Sequence, residues 1–200
     1  MSIKRVMTGL AVAGAALAQS SSSYTDPENG ITFQGITDPT HNVTYGFVLP
    51  TSQNSTGEFI GEVVAPIAAG CVGVALAGQM VGDLLLVAWP DTSAGKIVST
   101  TRYATGYSSP AVYAGPTITD LNSTTVNATH WKWVYRCENC TTWNGGSLNT
   151  NASSAVAWAY SSSAPVDPTS SNTTFHEHDD FGFFGMAWNN ASSANYSSYV

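Results

Sequence analysis

Charge is scarce in this chain. Only 10% of its 200 residues are Asp, Glu, Lys or Arg, against roughly 25% in ordinary soluble domains. The shortage is greatest in cations, with six Lys and Arg against 13 Asp and Glu. So acidic a chain argues against nucleic acid and anionic membranes as partners. Long apolar runs are also missing after residue 18. The longest, residues 84–89, has the length of a buried strand, far short of the ~20 residues of a spanning helix. No helical period of ten or more residues follows the N-terminus. There is no G-x-S-x-G, no G-x-G-x-x-G and no Walker motif, and no acidic pair stands out as a glycosidase dyad. Catalysis on a carbohydrate by this chain alone has no support.

The N-terminus reads as a secretory signal. Lys4 and Arg5 precede an apolar stretch over 6–17, which is closed by Ala16-Leu17-Ala18, an A-x-A cleavage pattern. The expectation is a signal peptide over 1–18 and one secreted domain over 19–200. Cleavage would leave four basic residues against 13 acidic ones, a net charge of −9. Nine N-x-[ST] sequons begin at Asn42, Asn54, Asn122, Asn127, Asn139, Asn151, Asn172, Asn190 and Asn195. In a secreted chain they predict a glycoprotein, with Asn139 the weakest because Cys140 is its middle residue.

Short β-type runs fill the remainder, at 31–36, 44–49, 58–64, 71–77, 83–89, 96–103, 131–137, 154–160 and 181–188. Gly, Pro, Asn, Asp or Ser clusters separate most of them. This spacing predicts an all-β antiparallel sandwich or barrel. Residues 84–89 are apolar on both faces and read as an inner strand. In 131–137, Trp131, Trp133, Tyr135 and Cys137 alternate with Lys132 and Arg136, which predicts one buried and one polar side. Residues 20–23 read as a flexible lead, and 161–174 as a long loop.

Few residues are left to carry chemistry. Cys137 and Cys140 form a C-x-x-C with no second pair to complete a zinc site, so a small structural disulfide is the simpler reading in an oxidising compartment. Thr141 follows Cys140, so the c-type haem attachment signature C-x-x-C-H is absent. Cys71, in an apolar run, reads as a buried free thiol. His41 and His130 read as surface or turn residues. His176 and His178 would share one side of a strand and grip a metal, or else lie in a solvated acidic loop. Met80 sits in the turn-like Gly78-Gln79-Met80-Val81-Gly82-Asp83. It is either a core filler or a soft metal ligand.

Several stretches are similar to one family. They are Glu58-Phe59-Ile60-Gly61-Glu62, Asp83-Leu84-Leu85-Leu86-Val87-Ala88-Trp89, Thr101-Arg102-Tyr103-Ala104-Thr105-Gly106-Tyr107, Thr129-His130-Trp131-Lys132-Trp133 and Glu177-His178-Asp179-Asp180-Phe181-Gly182-Phe183-Phe184-Gly185. Together they resemble the cytochrome domain of fungal cellobiose dehydrogenase, over about residues 24–199. The resemblance implies an antiparallel β-sandwich with a pocket for one haem b at one end or face. It implies axial ligation by Met80 and His178, with His176 as rival, and a Cys137–Cys140 disulfide. It implies a single-electron relay from a flavin dehydrogenase domain to an outside acceptor such as a copper polysaccharide monooxygenase, in lignocellulose degradation. Phe181, Phe183 and Trp89 are then candidates to wall the porphyrin, and Arg102 and Tyr107 to meet its acid groups. Glu177, Asp179 and Asp180 are candidates to hydrogen-bond the ligand ring. The alternative class is a secreted carbohydrate-binding β-sandwich without haem, stacking sugars on Trp143 or Trp188, or with a His176–His178 copper site.

Overall fold

The computed structural model describes residues 19–52 and 57–200. The expected signal peptide and the Asn54 sequon lie outside the described residues. Two sheets face each other. One has seven strands in the order Gln19–Ser20, Asp180–Ala187, Ser153–Ser161, Cys71–Ala75, Leu84–Asp91, Lys96–Tyr103 and Ala111–Val112. Its pairings are antiparallel except for the parallel contact of Gln19–Ser20 with Asp180–Ala187. The other follows the path Thr117–Asp120, His130–Glu138, Phe59–Pro66, Val43–Pro50, Thr32–Asp38 and Ser22–Thr25. The short strands Thr125–Val126 and Ser192–Ser193 join its sides.

The expected antiparallel sandwich is therefore the fold, and all nine expected strands are present within two residues of their bounds. Alternation explains the layers. Tyr45, Phe47, Val63, Trp131, Trp133 and Tyr135 point inward from one sheet, and Val72, Val74, Leu84, Leu86, Trp158 and Phe184 from the other; all are buried in one cluster. Tyr45 bridges the layers, 6.5 Å from Trp158 and 6.4 Å from Phe184 between ring centres. Every residue of Leu84–Asp91 is buried, as its two apolar faces require.

Three local expectations need correction. The Ser-rich lead is not loose: Ser22–Thr25 pairs with Thr32–Asp38 through backbone bonds that its side chains do not advertise. The polar side of His130–Glu138 is covered. Lys132, only 8% exposed, pairs with Asp26 at 2.7 Å and Glu28 at 2.6 Å, and Arg136 pairs with Glu58 and Glu138. His41 lies in a turn, as expected, yet is half-buried: Asp38 holds its Nδ1 at 2.9 Å, and its ring stacks on Tyr160 with centres 4.0 Å apart. The long loop stands as expected, with no strand between Ser153–Ser161 and Asp180–Ala187.

Candidate functional site

The outward face of the seven-stranded sheet carries unusually small side chains. Register places Phe183, Ala157, Ala75 and Leu85 side by side in one row, and Phe181, Ala159, Gly73 and Val87 in the next. The middle two strands thus present only alanine and glycine, between phenylalanines on one flank and Leu85 and Val87 on the other. All eight residues line a cavity of about 690 Å³, a size that suits a sizeable organic ligand. The protein itself does not require glycine at position 73. A Cβ there would meet Leu86 O and Val87 Cγ2 at 3.7 Å, ordinary contact distances. A side chain at 73 would instead fill the cavity. This floor was not anticipated from the sequence. Its signal is a second period-2 pattern, small residues at 73, 75, 155, 157 and 159 alternating with the core-facing positions.

Two loops bring polar atoms to the cavity. Met80 is carried by the turn between Cys71–Ala75 and Leu84–Asp91. Gly78 and Gly82 enter the left-handed region at φ +80° and +78°, which lets the chain reverse tightly. Asp83, fully buried, accepts bonds through Oδ2 from Ala77 N at 2.6 Å and Gln79 N at 3.4 Å. Burial pushes its carboxyl up to about 6, opposed by those backbone N–H groups and that of Leu84. At the far side of the turn, Gly82 N bonds Ala104 O and Trp143 Nε1 bonds Gly82 O. Met80 packs on the outer apolar cluster with Cys71, Ala75, Leu85 and Val87.

His178 stands at the end of the long loop, one residue before Asp179, whose N–H bonds Tyr160 O at 2.8 Å. Its ring meets Phe181 edge-on, centres 5.4 Å apart. Its Nδ1 is buried and has no hydrogen-bond partner, so the flanking acids do not bond that nitrogen as expected. Asp179 is engaged by Ser162 N and Oγ, and Asp180 Oδ1 by Phe181 N. A buried imidazole nitrogen without a partner carries a desolvation cost that a bound group would relieve. His176 also reaches the cavity, but is exposed.

The other candidates divide. Phe181 and Phe183 are half-exposed on the flank of the cavity, and Tyr107 is 92% exposed at its mouth. Trp89 is fully buried behind the cavity wall: its ring lies 5.4 Å from Phe175, and its Nε1 donates to Pro168 O at 2.8 Å. Arg102 is 4% exposed and also stands outside the lining, with donors directed at carbonyls of the neighbouring loops. Cys137 and Cys140 are disulfide-bonded. Cys71 is a free buried thiol on the cavity wall, pushed up to about 12 by burial. Trp143 and Trp188 are 6% and 0% exposed, so neither is a surface platform for sugars. Among the described residues no group of three or more His, Cys, Asp or Glu is placed to hold a metal ion, which leaves a His176–His178 copper site without a third ligand of that kind.

Residues 24–198 match the family described as the cytochrome domain of cellobiose dehydrogenase. A pyrroloquinoline quinone-dependent pyranose dehydrogenase of Coprinopsis cinerea is 33% identical over 193 residues, an alignment covering 92% of this chain and 26% of that protein. The chain thus spans about a quarter of the length of the curated relatives it matches. Among solved structures, the cytochrome b domain of that organism's pyranose dehydrogenase superposes with a TM-score of 0.83 at 31% identity, covering 90% of this chain and 94% of that one. The cytochrome domain of Myriococcum thermophilum cellobiose dehydrogenase gives 0.78 at 30% identity, covering 90% and 95%. The residues present fit the haem that such a family implies: a flat apolar floor, a thioether, and an imidazole with a buried nitrogen to spare. The register of the sheet, the shape of the cavity and the match across nearly the whole described chain agree, and the chain belongs to the family of the cytochrome domain of cellobiose dehydrogenase.

Proposed function

We propose that this chain is a secreted single-electron relay that holds one b-type haem between Met80 and His178. The observation that carries the reading is the meeting, on one apolar cavity, of a thioether and an imidazole whose buried Nδ1 has no hydrogen-bond partner. When bound, the haem iron supplies a one-electron change between its ferric and ferrous states. Everything else belongs to the chain. With no C-x-x-C-H, coordination and packing alone retain the group. With Met80 and His178 both given to the iron, no position would remain for oxygen or substrate, which favours relay over catalysis. Thioether sulfur favours the ferrous state and raises the potential relative to two nitrogens. The Gly73, Ala75, Ala157 and Ala159 floor would give a bound group an apolar seat, the flanking phenylalanines an apolar edge, and the mouth at Tyr107 stays open to a partner.

The relatives are dehydrogenase-linked, so the electron donor we infer is a sugar-oxidising dehydrogenase domain, on the same chain or a separate one. The resemblance drawn from the sequence favours a flavin dehydrogenase; the pyranose dehydrogenase relatives are quinone-dependent. The acceptor we infer is a copper polysaccharide monooxygenase, in lignocellulose degradation. Secretion after removal of 1–18 and glycosylation belong to the same reading. It is supported by the disulfide and by the exposure of every described sequon asparagine. The test is a reduced absorption spectrum and rapid-mixing reduction by each dehydrogenase class. Sharp low-spin α and β bands are expected. A colourless, folded protein that takes up no haem would overturn the reading.

A further inference from the structure

Arg102 is a buried cation that the relay chemistry does not use. Among the described residues no carboxylate lies within ion-pair distance of it. Its charge is satisfied instead by neutral acceptors. Nε donates to Thr100 Oγ1 at 3.1 Å, Nη1 to Pro110 O at 3.2 Å, and Nη2 to Ser171 O at 2.7 Å and Thr173 O at 2.8 Å. The guanidinium also lies 4.5 Å from the centre of the Phe175 ring. Thr100 is on Arg102's own strand, and the three carbonyl acceptors belong to two separate segments. Pro110 ends the stretch Tyr107, Ser108, Ser109, Pro110, all on the cavity lining; Ser171 and Thr173 lead into Phe175, which lines it too. A planar fork with five fixed N–H donors reaches both at once; a lysine ammonium, a single point of charge, does not.

We propose that Arg102 is a positioning residue that clasps the two loops walling the cavity, and so governs how tightly the bound group is retained. The inference rests on the haem reading above, but the clasp itself has a readout that needs no haem. Trp89 reinforces it on one side only, through its bond to Pro168 O in the same long loop.

The test compares Arg102→Lys with Arg102→Gln. Haem transfer from the loaded protein to apomyoglobin should be about tenfold faster in both variants, and the midpoint potential should fall as water enters. Hydrogen–deuterium exchange over 107–110 and 171–175 should rise in both, with or without haem. If Arg102→Lys keeps wild-type haem loss and wild-type exchange, charge rather than the fork is what matters, and the clasp is overturned. Should both Arg102 variants fail to fold, exchange in the haem-free wild-type protein takes their place: protection over 107–110 and 171–175 close to that of the flanking strands supports the clasp, and exchange as fast as in an unstructured loop overturns it. A wild-type protein without haem would overturn the relay reading, while loop exchange would still decide the clasp.

Discussion

The eight-stranded sheet is covered on its outer side by the chain itself. Tyr196, in the C-terminal 3-10 turn, packs on Phe33, Val48, Ile60 and Val134, and Lys132 with Asp26 and Glu28 closes the remainder. The seven-stranded sheet is bare in the middle of its outer side, where Gly73, Ala75, Ala157 and Ala159 stand, with two loops arching over them. Both sheets have an apolar inner side and share one core. The difference separates stability from ligand binding: one face is covered by the chain's own side chains, the other is shaped and left to be filled.

Four substitutions sharpen that contrast, from the largest effect to the smallest. His178→Ala should abolish the low-spin spectrum or the haem itself, while His176→Ala should leave the spectrum nearly unchanged; the opposite result would move the ligand to His176. On the covered face, Lys132→Met leaves Asp26 buried beside no cation. A loss of about 3 kcal/mol in denaturant unfolding is expected, with the haem spectrum unaltered. On the bare face the pattern should invert. Gly73→Val should weaken haem binding at least tenfold, about 1.4 kcal/mol, yet leave the melting of the haem-free protein within a few degrees, because a Cβ there meets only ordinary contacts. Comparable losses of fold stability and haem affinity in both variants would erase the distinction between the faces.

The smallest effect is a pH slope on the covered face. Burial, then the hydrogen bond and charge of Asp26, push Glu62 up to about 8. Its neutral form is the one the fold prefers. That contribution is therefore complete below the ordinary carboxylate range and is lost as pH rises toward 8. Asp26 opposes this at the acid end: against its own burial, its carboxyl is held low by hydrogen bonds first from the neutral Glu62 carboxyl, then from Lys132 and Glu28 N, so its contribution fades only as pH falls further. Unfolding free energy should decline between about pH 5 and pH 8, and Glu62→Gln should flatten that decline. A slope unchanged in Glu62→Gln would assign it to other groups, with Asp83 in the Met80 turn the next to examine.

Period-2 alternation and turn residues made the nine main strands legible before any coordinates, because burying one face of a strand against a core dictates which positions are apolar. The C-x-x-C pairing and the buried thiol of Cys71 were legible too, since three residues of separation leave a cysteine pair little choice of partner. Side-chain patterns said nothing of Ser22–Thr25, whose pairing is made by backbone groups that every residue carries. They also misjudged Lys132 and Arg136: apart from Glu138, the acids that pair with them are Asp26, Glu28 and Glu58, at least 78 residues away in the chain.

The site divides along the same line. Met80 and His178 were singled out by type, by turn context and by resemblance. Their convergence on one cavity is a consequence of strand order, which sets the 71–75, 84–91, 153–161 and 180–187 strands side by side. The alanine and glycine floor exists only across those strands, as rows that no single stretch of sequence contains. Arg102 and Trp89 looked from the sequence like contacts for the bound group, and the fold instead turns their donors on the loops around it. By itself, then, the sequence determined the strands, the disulfide and the kinds of ligand on offer, all of which follow from local chemistry. Tertiary structure alone decided which small residues became neighbours and which buried donors met which carbonyls, because those outcomes depend on register and loop closure between segments far apart in the chain.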